Sequence, residues 1–332
     1  MHWQNLASSY RDIGAAPAWV RIGHSGVDLF FVISGFIMMV IARNYPANLA
    51  TAGTFLYHRW ARIYPAFWIW FLIALSFYLL RPNWIHLEPG QVKYLTQSFF
   101  LLPTWSPLLV PVSWTLKYEL YFYLVFSIVI LVPSKLRIVA LLAWGGYIIV
   151  GQSKCYAAPE ILCNRNLFLT MHPLALEFLF GVLVAWSYLR VRIAWPLTLT
   201  LFGCALLLAG FTVYLGTGLD IDSNLWYRVF LFGLPASVLL YGCVELERQR
   251  GCIAPDWLIK VGNASYSIYL SHLLLLEVLY ATLTEYTALS APSVDILALC
   301  AALGGGLLAY HVVELPLLRL SRGRYRLRLR AA

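Results

Sequence analysis

The chain has 332 residues, of which 61% are hydrophobic and only 12% are charged. A soluble domain carries about 25% charged residues, so this composition excludes an ordinary soluble protein and favours a polytopic helical membrane protein. The formal charge of +9 is interpreted as membrane topology and not as nucleic-acid binding, because no aromatic-basic pattern of a nucleic-acid module accompanies it.

Long apolar runs define the predicted elements. A run of about 20 apolar residues is long enough to cross the hydrocarbon core of a bilayer, and the sequence contains about nine such runs. In chain order they cover residues 26–43, 62–80, 113–132, 136–151, 168–187, 196–216, 225–243, 264–283 and 294–316. The predicted fold is therefore an all-α transmembrane bundle.

The basic residues are distributed unevenly between these spans. Most fall in one alternate set of connecting segments: Arg43, Arg59, Arg62, Lys135, Arg137, Arg190, Arg192, Arg248, Arg250, Lys260 and the arginines of 319–332. The other set holds Arg11, Arg21, Arg81, Lys93, Lys154, Arg165 and Arg228. The positive-inside rule assigns the richer set to the cytoplasm. The basic tail, residues 319–332, is then cytoplasmic and residues 1–25 are external.

Two cysteines share one predicted external loop. In an oxidising space Cys155 and Cys163 can form a disulfide or remain free, and the sequence leaves both open. No C-x-x-C motif or His/Cys cluster is present, so no metal site is predicted.

The first span carries an acid near its start and small residues in its middle. Asp28 in the first helical turn has two interpretations. It stabilises the helix dipole, or it belongs to a functional site, because ionisable groups within spans are costly and usually face partners. Ser34-Gly35 predicts close helix packing or a local bend.

Further polar residues lie in or beside later spans. Arg59 and Arg62, three positions apart, share a face if their segment is helical, and either anchor the protein or bind phosphate groups. Glu119, inside the third span, has Tyr123 as its i+4 neighbour; it is a structural hydrogen-bonded acid or a substrate-site residue. His272, on an apolar helix, is a packed histidine or a functional one.

Six segments in order resemble the acyltransferase 3 family of membrane acyltransferases. They are GVDLFFVISGFIM (26–38), FLYHRWARIYPAFW (55–68), SWTLKYELYFYLVF (113–126), EFLFGVLVA (177–185), NASYSIYLSHLLLLEV (263–278) and VELPLLR (313–319). The likeness covers nearly the whole chain. Tyr118-Glu119, in place of a paired Glu-Glu, looks most similar to exopolysaccharide acetyltransferases of the family.

The resemblance implies a function and its site. The chain is expected to be a single membrane acyltransferase domain, residues 1–332, in the bacterial inner membrane. It would move an acyl group, most simply acetyl, from acyl-CoA to a hydroxyl of a cell-surface or exported polysaccharide or its lipid-linked precursor. Besides the bilayer, acyl-CoA and this glycan, polysaccharide assembly machinery is an expected partner. No bound cofactor is expected.

The resemblance also implies roles for individual residues. His2 is the candidate base for the acceptor hydroxyl, and His24 is not, because the spacing to Asp28 fits the family better at His2. Asp28 or Glu119 organises the catalytic site. The candidate substrate-binding residues are Arg59, Arg62, Tyr123 and His272. Glu177 and Glu314 lie in matching segments without an assigned role.

The N-terminus departs from the family pattern. The usual first helix ends in a histidine that an arginine precedes by eleven positions; His2 matches the histidine, and the arginine would precede Met1. The expectation is an N-terminally shortened chain with about nine of ten family helices. Two other functions stay open: a transporter or flippase of a glycan intermediate, which intramembrane acids also suit, and an inactive family member.

Overall fold

The computed structural model describes residues 23, 25–81, 93–104, 106–157, 170–219, 224–252, 254–286 and 291–319. Within these ranges the chain is helical and contains no strand. The main helices are α1 (Ser25–Ala42), α2 (Leu49–Leu80), α3 (Leu95–Phe99), α4 (Trp114–Ile130), α5 (Arg137–Ala157), α6 (Ala175–Tyr188), α7 (Pro196–Thr217), α8 (Leu225–Arg250), α9 (Asp256–Asn263), α10 (Ser265–Tyr286) and α11 (Ala291–Ala309).

The helices confirm the predicted all-α polytopic bundle. A helix lies at each predicted span, and five of the described helices are long and apolar enough to cross a membrane: α1, α2, α7, α8 and the stretch Ile296–Arg319 at the end of α11. The helix α7 exposes large apolar side chains, among them Leu201, Phe202 and Leu208. Such a surface is stable against lipid, because lipid tails are as apolar as the side chains.

The helix α2 begins well before the predicted span at residue 62. It starts at Leu49, and the Asn48 side chain caps it by accepting a hydrogen bond from the Thr51 amide at 2.8 Å. Asn is a preferred N-cap residue because its side chain satisfies an unpaired amide of the first turn. The prediction was wrong here because the basic residues lowered the local hydropathy, and Arg59 and Arg62 are helical.

The described residues divide into two compact units, and the boundaries fall within α2 and α4. The first unit comprises 57–81, 93–104, 106–117, 254–286 and 291–319. Its centre is the pair α10 and α11, where Gly306 packs so closely that a Cβ atom would meet the backbone of Ile268. The α10 tyrosines donate side-chain hydrogen bonds to backbone carbonyls, Tyr266 to Ile63 at 2.8 Å and Tyr269 to Val112 at 2.6 Å.

The second unit comprises 25–56, 118–157, 170–219 and 224–252, and α6 lies at its centre. This helix packs against α1, α5 and α8 and buries most of its side chains. Its contact with α1 requires two glycines. A Cβ atom on Gly35 would overlap the carbonyl oxygen of Phe178, and one on Gly181 would overlap that of Val32. The predicted close packing at Ser34-Gly35 is therefore confirmed.

Two arginines that the sequence placed in cytoplasmic segments stabilise helix ends in the second unit. Arg137, which is buried, donates hydrogen bonds to carbonyl oxygens of Ala42, Tyr45, Ile130 and Val132 at 2.7–3.1 Å, and so connects the ends of α1 and α4 to the start of α5. Arg248 pairs with Glu245 and donates to the carbonyl oxygens of Tyr188 and Val191. Basic side chains satisfy the last carbonyls of helices in this way.

Candidate active site

The central polar feature of the second unit is an ion pair between α1 and α8. The Arg228 guanidinium donates from Nε to Asp28 Oδ1 at 3.1 Å and from Nη2 to Asp28 Oδ2 at 3.2 Å. Both side chains are almost completely buried, at 0% exposure for Asp28 and 2% for Arg228. The two-point contact uses the planar fork of the guanidinium, the strongest geometry for a carboxylate partner. The structure thus assigns the first-span acid a partner 200 positions away.

Glu177 adds a second carboxylate to this ion pair. It lies in the first turn of α6, is fully buried, and interacts electrostatically with both Asp28 and Arg228. The side chains of Glu177 and Asp28 also lie within hydrogen-bonding contact of one another. The Glu177 side chain lies against Gly233, where a Cβ atom would come within 2.8 Å of it. The absence of a side chain at Gly233 therefore makes room for the carboxylate.

A short π-helix lies next to these groups. It covers Val229–Gly233, and so follows Arg228 directly and ends on the glycine that contacts Glu177. A π-turn inserts one extra residue into a helix and rotates the residues on either side relative to the regular α-helical positions. The local backbone therefore helps to present Arg228 and Gly233 to the same cluster. Such turns occur frequently at functional sites.

Aromatic side chains pack against one another in the same unit, and two of them, Tyr118 and His172, lie near Arg228. The Phe31 ring contacts Phe178 at a centroid distance of 4.6 Å and Tyr118 at 6.4 Å. Tyr118 in turn packs against the buried ring of His172 at 4.5 Å, and His172 interacts electrostatically with Arg228. Phe122 stacks on Phe178 at 4.3 Å. Apolar walls of this kind exclude water and strengthen the electrostatic interactions inside them.

Glu119 and Tyr123 form the contact that their spacing predicts. Both side chains are buried on α4, and the Tyr123 hydroxyl donates a hydrogen bond to Glu119 Oε1. The Tyr123 ring also packs edge-on against Phe55. The i+4 relation is confirmed, whereas the roles of Glu119 and Tyr123 at a substrate remain predictions.

Arg59 and Arg62 of the first unit both lie on the helix α2. This is the condition under which the sequence predicted that they share a face. Arg59 is partly buried and Arg62 is exposed on α2. Arg62 interacts electrostatically with Glu314, whose carboxylate is buried and accepts a hydrogen bond from the Ser267 hydroxyl at 2.6 Å. Arg62 thus has an acidic neighbour, at the end of the π-helix Tyr310–Glu314 that follows α11, which the sequence did not reveal. The proposed phosphate contacts of both arginines stay a prediction.

His272 lies on α10 with its ring partly buried. Its Nδ1 atom is 2.7 Å from the carbonyl oxygen of Tyr269, one turn earlier. A carbonyl only accepts, so Nδ1 carries the proton of this bond, and the neutral ring then has its lone pair at Nε2. This contact agrees with the interpretation of a packed histidine and leaves a substrate contact through Nε2 as a prediction.

Some sequence predictions lie outside the described residues. These include the candidate base His2, the alternative His24 and the Cys155–Cys163 pairing, because the side chain of Cys155 and all of Cys163 fall in undescribed segments. Within the described segments, no group of histidine, cysteine, aspartate and glutamate side chains has the arrangement of a metal site.

One assignment of the sequence analysis is wrong. Arg228 was counted among the residues of external loops, but it lies in the first turns of α8 and is buried against Asp28. The sequence around Arg228 could have indicated this. Arg228 is a single cation between the apolar stretches LWY and VFLFG, and the first span carries an acid without an evident partner in the sequence. Intramembrane charges usually pair with one another, so the two could have been matched.

The arrangement in the second unit is suited to polar chemistry in an apolar setting. It combines a fixed guanidinium, a carboxylate that this guanidinium neutralises, and a second acid in contact with that carboxylate. Groups held rigidly in a water-excluded site stabilise developing charge without having to reorganise.

Comparison with known proteins identifies the family. The family profile described as Acyltransferase domain matches residues 1–311. The chain is 31% identical to the Exopolysaccharide production protein ExoZ of Rhizobium meliloti (strain 1021) over 315 residues, which cover 91% of this chain and 92% of that protein. It is 26% identical to the Acyltransferase MdmB of Streptomyces mycarofaciens over 332 residues, which cover 90% of this chain and 82% of that protein.

No solved structure matches the chain. The family match nevertheless spans the helices that carry Asp28, Glu177 and Arg228. The matches decide between the enzyme and the transporter that composition alone left open. The chain belongs to the acyltransferase 3 family, and it is a membrane acyltransferase that transfers acyl groups other than aminoacyl groups.

Proposed function

We propose that this enzyme transfers an acetyl group from acetyl-CoA to a hydroxyl of an exported polysaccharide or its lipid-linked precursor. The hydroxyl oxygen attacks the thioester carbonyl carbon, the carbon–sulfur bond breaks, and the hydroxyl proton is finally carried by the thiol of the released CoA. The products are an O-acetyl ester and free CoA. The reaction therefore needs a proton acceptor, charge stabilisation at the carbonyl and a bound donor.

The buried cluster of Asp28, Arg228 and Glu177 is the observation that supports this proposal. A polar, water-excluded centre inside apolar helices suits a hydroxyl-bearing substrate that approaches at the membrane. The ExoZ relative is named as an exopolysaccharide production protein, which supports a polysaccharide acceptor. We assign the enzyme to the bacterial inner membrane with a cytoplasmic C-terminus, where acyl-CoA is available and polysaccharide assembly machinery is a partner.

The residue roles follow from the chemistry of each group. His2 accepts the hydroxyl proton, because imidazole titrates near neutral pH. Arg228 neutralises Asp28, so Asp28 acts as a positioning residue for the guanidinium and not as the base. Glu119, held by Tyr123, orients the site on α4. Arg59 and Arg62 bind the phosphates of the donor, for which guanidinium groups are well suited.

The function is tested with polysaccharide from a strain that lacks the gene. We expect its NMR spectrum to lack one O-acetyl ester that the wild-type gene restores on a plasmid. The variant Asp28→Asn, expressed to the wild-type level in the membrane, should restore little of it, because Arg228 then loses its partner. An unchanged set of esters in the deletion strain would contradict the proposal. The proposal would also be contradicted if an unrelated membrane protein restored the ester in the deletion strain.

The donor role of the α2 arginines gives a second experiment. In the double variant Arg59→Gln/Arg62→Gln we expect the KM for acetyl-CoA to rise about 10- to 100-fold, because charge-assisted hydrogen bonds to phosphate are lost. Neutral glutamine avoids placing a new acid beside Glu314. The KM for the polysaccharide should stay within about twofold, as measured by transfer of radiolabelled acetyl groups.

The matched control removes two exposed arginines from the same set of connecting segments. The variant Arg43→Gln/Arg192→Gln changes the net charge by the same amount, and both side chains are exposed. It should leave the KM for acetyl-CoA at the wild-type value. An equal rise in both double variants would mean that Arg59 and Arg62 act only through the overall charge.

A further inference from the structure

We propose that residues 93–104 and 106–113 form a re-entrant segment, which enters the membrane from its outer side and binds hydroxyl groups of the glycan acceptor. This inference rests on the proposed function and its topology, and it identifies where the acceptor is held. The binding side chains are those of Gln97, Thr104 and Ser106, which all belong to the first unit. Amide and hydroxyl groups both donate and accept hydrogen bonds, so they suit a polyhydroxylated sugar.

The depth of the re-entrant segment follows from its contacts with α2. The Tyr64 hydroxyl donates a hydrogen bond to the carbonyl oxygen of Phe100 at 3.0 Å. The Trp68 Nε1 group donates to the carbonyl oxygen of Phe99 at 3.1 Å, and the two rings stack at a centroid distance of 5.3 Å. At about 1.5 Å per residue, Tyr64 and Trp68 lie about 24 and 18 Å before the end of α2 at Leu80. The segment therefore contacts α2 far from the helix end that precedes it in the chain.

The composition of α2 indicates that lipid surrounds this helix as far as its outer end. Residues 63–80 contain no charged side chain, and Leu72, Leu79 and Leu80 are 53–78% exposed. Large apolar side chains that are exposed together need lipid or protein around them. The hydrocarbon core of a bilayer is about 30 Å thick, so contacts about 18–24 Å below the outer end lie in its inner half. A loop confined to the outer surface could not make them.

The backbone of the re-entrant segment is irregular. The helix α3 covers only Leu95–Phe99, a 3₁₀ turn covers Pro111–Ser113, and Leu101 has a positive φ of 50°. A non-glycine residue in this conformation is strained, and such residues persist where surrounding contacts fix them, often at functional sites. At membrane depth, non-helical backbone is tolerated only where protein covers it or where it lines a water-filled cavity.

The two sides of the re-entrant segment differ in polarity. Its buried apolar side chains, each at most 4% exposed, are Leu101, Leu109, Val110 and Val112. The polar side chains are only partly buried. The Thr104 hydroxyl donates to Gln97 Oε1 at 3.1 Å and lies 2.8 Å from Ser106 Oγ. Lipid offers no hydrogen bonds to such groups, so the apolar side faces protein and the polar side faces water or a polar ligand.

Internal contacts hold the polar side in place. The Lys117 ammonium, at the start of α4, is 7% exposed and donates a hydrogen bond to the carbonyl oxygen of Thr104 at 2.7 Å. The Leu109 amide donates to the buried Ser98 hydroxyl at 3.1 Å and so connects the two halves of the segment. Ionisable residues within spans often pair with backbone carbonyls and mark substrate pathways. Lys117 thus fixes the turn that presents Thr104 and Ser106.

The helix that receives the re-entrant segment also carries the proposed donor site. Arg62 lies about 3 Å before Tyr64 along the axis of α2, so the segment contacts this helix within one turn of the arginine. An acceptor bound to the segment is therefore brought towards the depth of the donor arginines. Direct transfer then spans a short distance instead of the whole bilayer.

The first experiment measures access to the segment in right-side-out membrane vesicles that contain the full-length protein. A charged maleimide that does not cross the membrane is added outside, and mass spectrometry identifies the labelled peptides. We expect Ser106→Cys to be labelled, and saturating polysaccharide from the deletion strain to slow the labelling several-fold. The control is Ser76→Cys, exposed on the apolar part of α2 and nearer its outer end. It should stay unlabelled, because the reactive thiolate does not form in lipid.

The second experiment measures transfer of radiolabelled acetyl groups by the double variant Thr104→Val/Ser106→Ala. We expect the KM for polysaccharide to rise about 5- to 100-fold, because hydrogen bonds to the glycan are lost. The KM for acetyl-CoA should stay within about twofold, which a general loss of structure would not allow. The matched control, Ser76→Ala/Thr212→Val, removes the same two kinds of hydroxyl from exposed positions on α2 and α7. It should leave both KM values unchanged.

Specific outcomes would overturn the inference. A Ser106→Cys protein that is not labelled from outside, or is labelled no faster than Ser76→Cys, would exclude the re-entrant path. Labelling that polysaccharide does not slow, an unchanged polysaccharide KM in the double variant, or equal rises in both KM values would exclude glycan binding. If the wild-type protein transfers no label to polysaccharide, the proposed function fails. Labelling of Ser106→Cys needs no turnover, so it tests the path separately.

Discussion

Replacing Arg228 by leucine should destabilise the folded protein by about 3–5 kcal/mol, because Asp28 would remain as a buried charge without its partner. Thermal melting in detergent, followed by tryptophan fluorescence or by retention of a folded species on size exclusion, measures the effect. We expect a clearly lower melting temperature for Arg228→Leu than for the wild type. Membrane levels of the variant should fall accordingly.

The double variant Asp28→Leu/Arg228→Leu separates stability from activity. Removing both charges avoids leaving Asp28 unpaired, so the melting temperature should rise above that of the single Arg228→Leu variant. Acetyl transfer should stay low, since the fixed guanidinium is lost from the site. A single Arg228→Leu variant that melts like the wild type would show that the pair contributes nothing to stability. Full activity of the stable double variant would show that the pair has no part in transfer.

Replacing His2 by alanine should reduce acetyl transfer by about 10²- to 10⁴-fold while the protein stays folded, because general-base catalysis contributes rate enhancements of this size. The measurement is radiolabelled transfer to polysaccharide at saturating acetyl-CoA, together with the melting temperature. Binding of the donor should be unchanged, so the loss should appear in kcat and not in the KM for acetyl-CoA.

A histidine from the same region gives the control for this experiment. His24 lies closer to Asp28 in sequence, but its spacing does not match the family pattern. We expect His24→Ala to transfer acetyl groups within about twofold of the wild type. Near-normal turnover of the His2→Ala protein would remove His2 from the mechanism. A large loss in His24→Ala with normal activity in His2→Ala would assign the base to His24 instead.

The pairing of Asp28 with Arg228 changes the interpretation of the first-span acid. From the sequence, Asp28 was either a helix-dipole residue or a site residue that assists a base. The two guanidinium hydrogen bonds hold the Asp28 carboxylate and the Arg228 side chain in a fixed geometry. Asp28 is better suited to fix Arg228, and Glu177 is a second acid beside this ion pair.

The positions of the helices could be predicted from the sequence because membrane insertion depends on a local property. An apolar run of sufficient length becomes a helix whatever its neighbours are, since backbone groups must be satisfied within the segment. The error at the start of α2 has the same origin: Arg59 and Arg62 made the local average less apolar although the helix continues through them to Leu49. The contact of Glu119 with Tyr123 was also predictable, because i and i+4 residues always share a helical face.

The contacts between helices depended on the tertiary structure. Asp28, Glu177 and Arg228 lie on three helices, and hydropathy and helical periodicity do not specify which distant helices meet. That choice follows from packing: the two glycines at the α1–α6 contact allow the backbones to approach, and the π-turn of α8 presents Arg228 and Gly233. Composition and local motifs thus determined the membrane class, the helix positions and the family likeness. Only the packing of helices decided which charges pair, because pairing energies arise between residues that are far apart in the chain.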